Sequence, residues 1–454
     1  MGKYFGTDGF RGEAGVELTS YHAYKIGRFL GWYYKNESGN ARAVIGKDTR
    51  RSSYMLEYAI ACGLSSVGAD AYMLHVTTTP SVSYATKEGN FDFGIMISAS
   101  HNPYYDNGIK IVNAKGEKID DRLIEKIEYY LDGDYEKLCI NEDLPNARGG
   151  MIGEIVDYSA GRNRYIGYLI SLSRHSFKGY RVGLDLANGG AWMIAKSVFQ
   201  ALGAKTYTIN AEPNGLNINY NAGSTNIEFL SEFVKENNLD IGFAFDGDAD
   251  RCIAVDEKGE VVNGDHILYI LAKELKRQGE LKENSVVTTI MSNLGLYRAL
   301  DDLGVSYEQT AVGDRFIYER MTEKGYSLGA EQSGHIILSK YATTGDGILT
   351  AIKIMEAVIE SKESLSKLSS AVVMLPQATK NVKVKSKDQV LNNEKVKEEV
   401  EAIRKELGTQ GRIILRKSGT EPVVRIMVEA ERKELCDHYI KRVHTVINNE
   451  ELCK

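Results

Sequence analysis

The feature that most constrains this chain is an alternation of short apolar β-type runs with segments of helical period. It is sustained over about 370 residues and is the signature of an α/β fold. In the first stretch Thr19 can cap a helix in which Ala23, Ile26, Phe29, Leu30 and Tyr33 recur at helical spacing. Val44-Ile45, Tyr72 to Leu74 and Phe93 to Ile97 read as short buried strands. A charged segment, Asp132 to Arg148, ends this stretch, and the pattern restarts with a strand at Arg181 to Leu186, a helix at Ala191 to Leu202 and a strand at Asp240 to Phe245. It restarts again after Asn263-Gly264, with a helix through Leu275 and a strand at Ser285 to Ile290. The tail differs: a strand at Val382 to Val384, a charged helix at Asn393 to Leu407, then strands at Gly411 to Leu415 and Val423 to Val428, an α+β arrangement.

A chain of 454 residues is too long for one core, and length alone suggests roughly three domains. The restarts predict three α/β domains at 1–155, 156–256 and 257–370, and a smaller C-terminal α+β domain at 371–454. Serial domains of this kind leave a central cleft between them, where ligands prefer to bind. One large doubly wound sheet with insertions is the alternative architecture. The net charge of −6 provides no basic field for polyphosphate, which argues against a nucleic-acid partner. An anionic substrate must therefore be held by a local cluster of Arg and Lys. Five cysteines form no CxxC pair, the first residues contain no apolar leader, and no run approaches 18 apolar residues. The expectation is a cytoplasmic protein with reduced thiols and no membrane association; oligomers are compatible with all of this.

The most informative segment is Ser98-Ala99-Ser100-His101-Asn102-Pro103, which closes the strand ending at Ile97 and runs on to Asp106-Asn107-Gly108-Ile109-Lys110. A serine at the carboxyl end of a parallel strand sits where α/β folds place ligands. Pro103 interrupts regular structure and Asn107-Gly108 reads as a turn that brings Lys110 back toward Ser100. A serine hydroxyl needs a base or a metal to become nucleophilic. His101 is adjacent, but strand neighbours face opposite ways, so the backbone must break for both to serve one site. A polar βα loop with a capping Ser and a buried His would use the same residues.

In Asp246-Gly247-Asp248-Ala249-Asp250-Arg251, after the apolar run Ile241 to Phe245, three carboxylates alternate. At ~4 Å and an effective dielectric near 20 each pair repels by about 4 kcal/mol. A divalent cation reverses that sign, and oxygen-only ligation suits Mg²⁺ or Ca²⁺. An EF-hand is disfavoured because Arg251 stands where its loop needs Gly and the flanks are strand-like. A solvated acidic turn is the other alternative.

Three further segments complete the set. Gly329-Ala330-Glu331-Gln332-Ser333-Gly334-His335 places Glu, Ser and His at alternate positions of what reads as an extended loop. Glu331 and Ser333 suit sugar hydroxyls, and His335 could shuttle a proton or donate to phosphate. Arg416-Lys417-Ser418-Gly419-Thr420-Glu421-Pro422, with Arg425 beyond, combines guanidinium forks, hydroxyls and amides in the composition of a phosphate nest. Gly6-Thr7-Asp8-Gly9-Phe10-Arg11-Gly12 reads as a glycine-rich loop that approaches a ligand closely. A structural αβ loop, a basic hairpin and a disordered start are the respective plain alternatives.

Together and in this order the five segments resemble the α-D-phosphohexomutase family over essentially the full length. The serine loop and the acidic loop carry the family resemblance. Gly6 to Gly12, Thr289-Ile290-Met291-Ser292-Asn293, Glu331 to His335 and Arg416 to Pro422 look most like the bacterial branch that acts on glucosamine phosphate. Mannose-phosphate relatives more often carry Met at the Gln332 position and Asn at the Gly419 position. The resemblance implies three similar α/β domains and a smaller fourth around one cleft. It also implies interconversion of glucosamine 6-phosphate and glucosamine 1-phosphate, with Mg²⁺ as cofactor and a hexosamine or hexose 1,6-bisphosphate as intermediate and activator.

Site roles follow from the same resemblance. Ser100 would carry the phosphoryl group, and Asp246, Asp248, Asp250 and the Ser100 phosphate would hold Mg²⁺. Arg11, Lys110 and Arg251 would stabilise the transferring group, Lys110 or His335 would take part in proton transfer, and His101 would support the serine loop. Glu331 and Ser333 would contact the sugar. Arg416, Ser418, Gly419, Thr420 and Arg425 would clamp the phosphate that is not reacting. Departures from the branch pattern are Ala330, usually Gly, and Ala222 and Asn226, usually Cys and His. A mutase for mannose or glucose phosphates, a metal-dependent phosphatase and a phosphosugar-binding protein are the competing readings.

Overall fold

The computed structural model describes residues 2–39, 41–417 and 423–454. It separates into two compact units, one of Met1–Met291 with Val305–Ser370, the other of Ser292–Gly304 with Ala371–Lys454. Among the described residues the strands form four sheets, three in the first unit and one in the second.

The first sheet contains β1 (Phe5–Gly6), β2 (Gly9–Glu13), β3 (Arg42–Lys47), β4 (Asp70–Val76), β5 (Phe93–Ile97), β6 (Asp106–Asn113) and β7 (Ile155–Asp157), in the order β1-β2-β6-β5-β3-β4-β7. The second holds β8 (Arg181–Asp185), β9 (Lys205–Ile209), β10 (Ile241–Phe245), β11 (Cys252–Val255) and β12 (Val261–Val262), ordered β12-β11-β10-β8-β9. The third holds β13 (Ser285–Thr289), β14 (Ser306–Thr310), β15 (Leu328–Ala330) and β16 (Ile336–Leu338), ordered β14-β13-β15-β16.

One plan recurs in all three. Two parallel strands are joined by a third parallel strand, which then turns back into an antiparallel partner: β5 into β6, β10 into β11, β15 into β16. The three segments with chemical character, 98–105, 246–251 and 331–335, are the turns of these equivalent hairpins. The inner parallel strands are buried on both faces, which explains why they read as near-continuous apolar runs such as Phe93-Gly94-Ile95-Met96-Ile97. Helices cover them: Thr19 caps Ser20–Ser38 as the spacing predicts, and that helix buries Ala23, Ile26, Phe29 and Leu30.

Two local expectations differ from the structure. Asn107-Gly108 is not a turn but lies within β6, and the chain reverses earlier, over 99–105. Gly108 serves close packing instead, since a Cβ there would stand 2.5 Å from the Ser98 carbonyl oxygen. Gly6 to Gly12 is not a loop but the hairpin β1–β2, so Arg11 sits on a strand opposite Gly108.

The fourth sheet is fully antiparallel: β17 (Gln377–Lys383), β18 (Arg412–Lys417) and β19 (Val423–Glu429), ordered β17-β19-β18. Helix Glu394–Leu407 and the terminal helix Lys433–Asn449 pack their apolar faces, including Val400, Ile403, Ile440 and Val443, onto Val382, Ile426 and Val428. The terminal helix was not anticipated, although Cys436, Tyr439, Ile440, Val443 and Ile447 recur at helical spacing. No helix among the described residues is long and apolar enough to cross a membrane.

Candidate active site

The serine loop meets the acidic loop inside the first unit. Ser100 Oγ donates to Asp246 Oδ2 at 2.5 Å, and His101 Nδ1 lies 3.3 Å from the same hydroxyl. Both side chains reach one site because the backbone breaks at Ser100, which is held at φ +50°. That left-handed conformation costs an L-residue roughly 1–3 kcal/mol and persists only where the surroundings enforce it. Ser100 is buried, and so are all three aspartates. Burial, then Arg251 and Arg11, push the His101 imidazole down to about 4, so it is neutral at physiological pH.

The turn 246–251 brings one carboxylate oxygen from each of Asp246, Asp248 and Asp250 within 4.8 Å of one another. The antiparallel pairing of β10 with β11 closes this turn, with Phe245 opposite Cys252, which rules out the helix–loop–helix frame of an EF-hand. Burial, reinforced by Asp250 and Asp248, raises the Asp246 carboxyl well above the usual range. Burial would also raise Asp248, but the Lys110 ammonium, 2.8 Å away, and the Thr79 hydroxyl, 2.5 Å away, hold it low. Asp248 Oδ1 and Asp250 Oδ1 are buried without a hydrogen-bond partner. Orphaned carboxylate oxygens in such a cluster fit a hard divalent cation, which would satisfy them.

Lys110 is ringed by Asp248, by Asp8 at 3.1 Å and by Asp250 at 3.4 Å. Burial alone would discharge the ammonium, but these carboxylates hold its pKa well above the ordinary value. Asp8 also pairs with Arg11 and, at 2.9 Å, with Lys118, which in turn reaches Asp314 at 2.7 Å. The sequence reading missed Asp8, Thr79, Lys118 and Asp314. Asp8 stood inside a quoted motif, whereas nothing in the sequence marks the other three as neighbours of the aspartates.

The 331–335 segment is a tight turn, not an extended loop: Gly334 N donates to Glu331 O, and Glu331 N to His335 O, both at 3.0 Å. Gly334, at φ +91°, lets the chain pack against the Cys252 carbonyl, and Cys252 N donates to Gly334 O at 3.0 Å. This ties the turn to the acidic loop. Glu331 accepts from Gly313 N at 3.0 Å and from Ser333 Oγ at 3.4 Å. His335 is buried; its Nε2 accepts from Gly345 N at 3.0 Å and its Nδ1 lies 3.8 Å from Asp250. Arg251 donates its backbone N–H to Asp246 Oδ1 at 3.2 Å. Ala330 lies within β15 at negative φ, so the usual Gly is not required there.

In the second unit Arg416 and Arg425 stand directly opposite each other on β18 and β19. Burial, then Arg425, lower the Arg416 pKa. Like charges opposed on a sheet are unfavourable unless an anion joins them. Ser418, Gly419 and Thr420, also expected in this nest, lie outside the described residues.

Comparison with known proteins agrees with this frame. Models of the phosphoglucomutase/phosphomannomutase family match in series: α/β/α domain I at residues 2–137, domain II at 163–259, domain III at 263–374 and the C-terminal domain at 380–445. A phosphoglucosamine mutase from Lachnospira eligens is 60% identical over 99% of both chains. A crystal structure of a phosphoglucomutase/phosphomannomutase family protein from Burkholderia thailandensis aligns over 99% of this chain and 98% of its own, at TM-score 0.81 and 22% identity. The N-acetylphosphoglucosamine mutase of Aspergillus fumigatus, solved in complex with GlcNAc-6P and magnesium, aligns over 98% and 95% at TM-score 0.71 and 16% identity. With three α/β/α domains followed by a C-terminal domain, and with relatives this similar along their whole length, the chain belongs to the phosphoglucomutase/phosphomannomutase family.

Proposed function

We propose that the protein is a phosphoglucosamine mutase, an isomerase that moves a phosphoryl group between C6 and C1 of glucosamine phosphate through Ser100. The observation that carries this reading is the 2.5 Å approach of Ser100 Oγ to Asp246 within a buried triad of aspartates. The full-length likeness to a phosphoglucosamine mutase supports glucosamine phosphate as substrate.

Phosphorylated Ser100 gives its phosphoryl group to the free hydroxyl of glucosamine 6-phosphate. The P–O bond to Ser100 breaks as the bond to the sugar oxygen forms, and the serine oxygen regains a proton. The resulting 1,6-bisphosphate reorients and returns its other phosphoryl group to Ser100, which releases glucosamine 1-phosphate. Asp246, Asp248, Asp250 and the serine phosphate would hold Mg²⁺, which when bound neutralises phosphoryl charge.

Arg11, Lys110 and Arg251 add positive charge around the transferring group, which phosphoryl transfer needs more than covalent assistance. Lys110 and His335 are the nitrogen groups that can exchange the proton of the sugar hydroxyl. Neutral His101 accepts from or donates to Ser100 Oγ and steadies it. Glu331 and Ser333 orient the sugar hydroxyls. Arg416, Ser418, Gly419, Thr420 and Arg425 bind the phosphate that is not reacting, and either phosphate can occupy that nest. A hexose or hexosamine 1,6-bisphosphate restores phosphate to Ser100 after its loss. The reading carries with it a cytoplasmic setting, in which the five free cysteines stay reduced.

The test is a substrate panel of glucosamine, glucose and mannose 6-phosphates, each with Mg²⁺ and a trace of hexose 1,6-bisphosphate. Glucosamine 6-phosphate should show the highest kcat/KM. Faster turnover of glucose or mannose phosphate would overturn the substrate assignment, and release of inorganic phosphate as the main product would replace the mutase with a phosphatase.

A further inference from the structure

Behind Ser100, two side chains from distant parts of the first unit grip the same pair of carbonyl oxygens. Arg50, whose side chain has no exposed surface, donates through Nη2 to Ser100 O at 3.1 Å and to Asn102 O at 2.6 Å. Asn219 donates through Nδ2 to Ser100 O at 2.8 Å and to Asn102 O at 2.9 Å. Each gripper is itself fixed. Asp48 pairs with the Arg50 guanidinium, accepts from Arg50 N at 3.0 Å and from Ser53 Oγ at 2.8 Å. Asn219, nearly buried and at φ +60°, donates its backbone N–H to Ala187 O at 2.9 Å.

The grip also borders the acidic loop. A Cβ on Gly247 would stand 2.6 Å from Ser100 O and 3.0 Å from Asn219 Nδ2. Thus the carbonyl of Ser100 is turned into the seam between the two loops, and its hydroxyl is turned toward Asp246. No role in phosphoryl transfer follows for Arg50 or Asn219 from the site described above, since neither contacts the aspartates. Their four hydrogen bonds explain how a non-glycine residue is kept at φ +50°.

We propose that Arg50 and Asn219 are positioning residues that lock Ser100 in the left-handed conformation in which its oxygen faces the three aspartates. The proposal rests on the mutase reading of Ser100. It adds that alignment of the phosphoserine is imposed through its backbone carbonyl, from the β9-to-helix connection of the second sheet as well as from the first.

The test compares Asn219→Ala and Asn219→Asp with the wild type. The measurements are kcat, KM for glucosamine 6-phosphate, the urea midpoint, and the rate at which glucose 1,6-bisphosphate phosphorylates Ser100, followed by intact mass. Asn219→Ala should lower kcat and the phosphorylation rate together by roughly 10- to 100-fold, the scale of a nucleophile misplaced by about 1 Å. KM should stay near wild type; the urea midpoint should fall modestly, because two buried carbonyls lose a donor and Ala must take a positive φ, while the variant stays folded without urea. Asn219→Asp keeps the size but turns acceptors toward two carbonyls, so it should be at least as impaired. Rates within about twofold of wild type in either variant would overturn the proposal, as would losses matched by an equal loss of folded protein. Wild-type protein that neither takes phosphate on Ser100 nor converts the sugar would instead overturn the mutase reading, a result visible before any variant is made.

Discussion

The hydroxyl of Ser100 and the carboxylate of Asp246 are hydrogen-bonded although 146 residues separate them in the chain. The contact exists because two hairpin turns from two differently placed but similarly built sheets converge. Each turn leaves the carboxyl end of the parallel strand that borders the antiparallel part of its sheet, and carboxyl ends are where α/β folds commonly gather ligands. On the proposed mutase reading the chemistry depends on how closely the turns approach, and several outcomes follow from that approach.

Gly247 sets the distance between the loops. An added methyl would meet the Ser100 carbonyl oxygen at 2.6 Å, a backbone atom that cannot rotate away. Gly247→Ala should fold, since the position does not require positive φ, yet lose roughly 10- to 100-fold in kcat through displacement of the serine. Steady-state kinetics beside a thermal melt would check this. An unimpaired kcat would show that the loops have slack.

The aspartate triad leaves two buried carboxylate oxygens, Asp248 Oδ1 and Asp250 Oδ1, without a hydrogen-bond partner. Saturating Mg²⁺ should stabilise metal-stripped protein, by about 2.7 kcal/mol at a concentration a hundred times Kd, and so raise its unfolding midpoint. Asp250→Asn should lose most of that increase and most of the turnover. Calorimetric melts across a Mg²⁺ titration would decide, and an equal shift in the variant would remove Asp250 from the ligand set.

Arg416 faces Arg425 across β18 and β19, an arrangement that an anion stabilises. Arg416→Ala should raise KM for glucosamine 6-phosphate by roughly 10-fold or more, the scale of one charge-assisted hydrogen bond, with a smaller effect on kcat. An unchanged KM would contradict the clamp.

Asp346 caps helix Gly347–Ser361 through Leu349 N at 2.9 Å and accepts from the Tyr165 hydroxyl at 2.7 Å. Burial nonetheless holds its carboxyl up at about 6, against an ordinary 3.8. Between those values the folded state binds more protons than the unfolded one, so this group lowers stability as pH rises from about 4 to about 6. Asp346→Asn cannot ionise. From pH 4 to pH 7.5 the stability difference should move in the variant's favour by on the order of 2–3 kcal/mol, read from urea unfolding at each pH. A difference that stays flat with pH would contradict the raised carboxyl.

Much of the fold was legible because strands buried on both faces, such as Phe93–Ile97 and Ile241–Phe245, leave apolar runs that need no tertiary information. The Ser100 and Asp246 loops were legible for a different reason: their polar residues follow directly on those runs. Local signals failed where a residue had two uses. Gly108 marks close packing inside a strand and not a turn, and Gly9, at φ +88°, shapes a hairpin beside Ile109. Gly334 likewise closes a tight turn where alternation suggested an extended face. Arg50 and Asn219 were invisible for want of any local mark. Asn219 is one of several asparagines in a polar connection, and only the fold brings it to Ser100 O. The Arg416 pairing was half legible: two arginines were evident, but their opposition depends on strand register.

The most direct test of the central claim is a single-turnover label chase. Ser100 is loaded with ³²P from a labelled hexose 1,6-bisphosphate, freed of excess donor and mixed with unlabelled glucosamine 6-phosphate and Mg²⁺. Label should leave the Ser100 peptide and appear in hexosamine phosphates at least as fast as kcat. Label that stays on Ser100 while glucosamine 1-phosphate accumulates would contradict the claim.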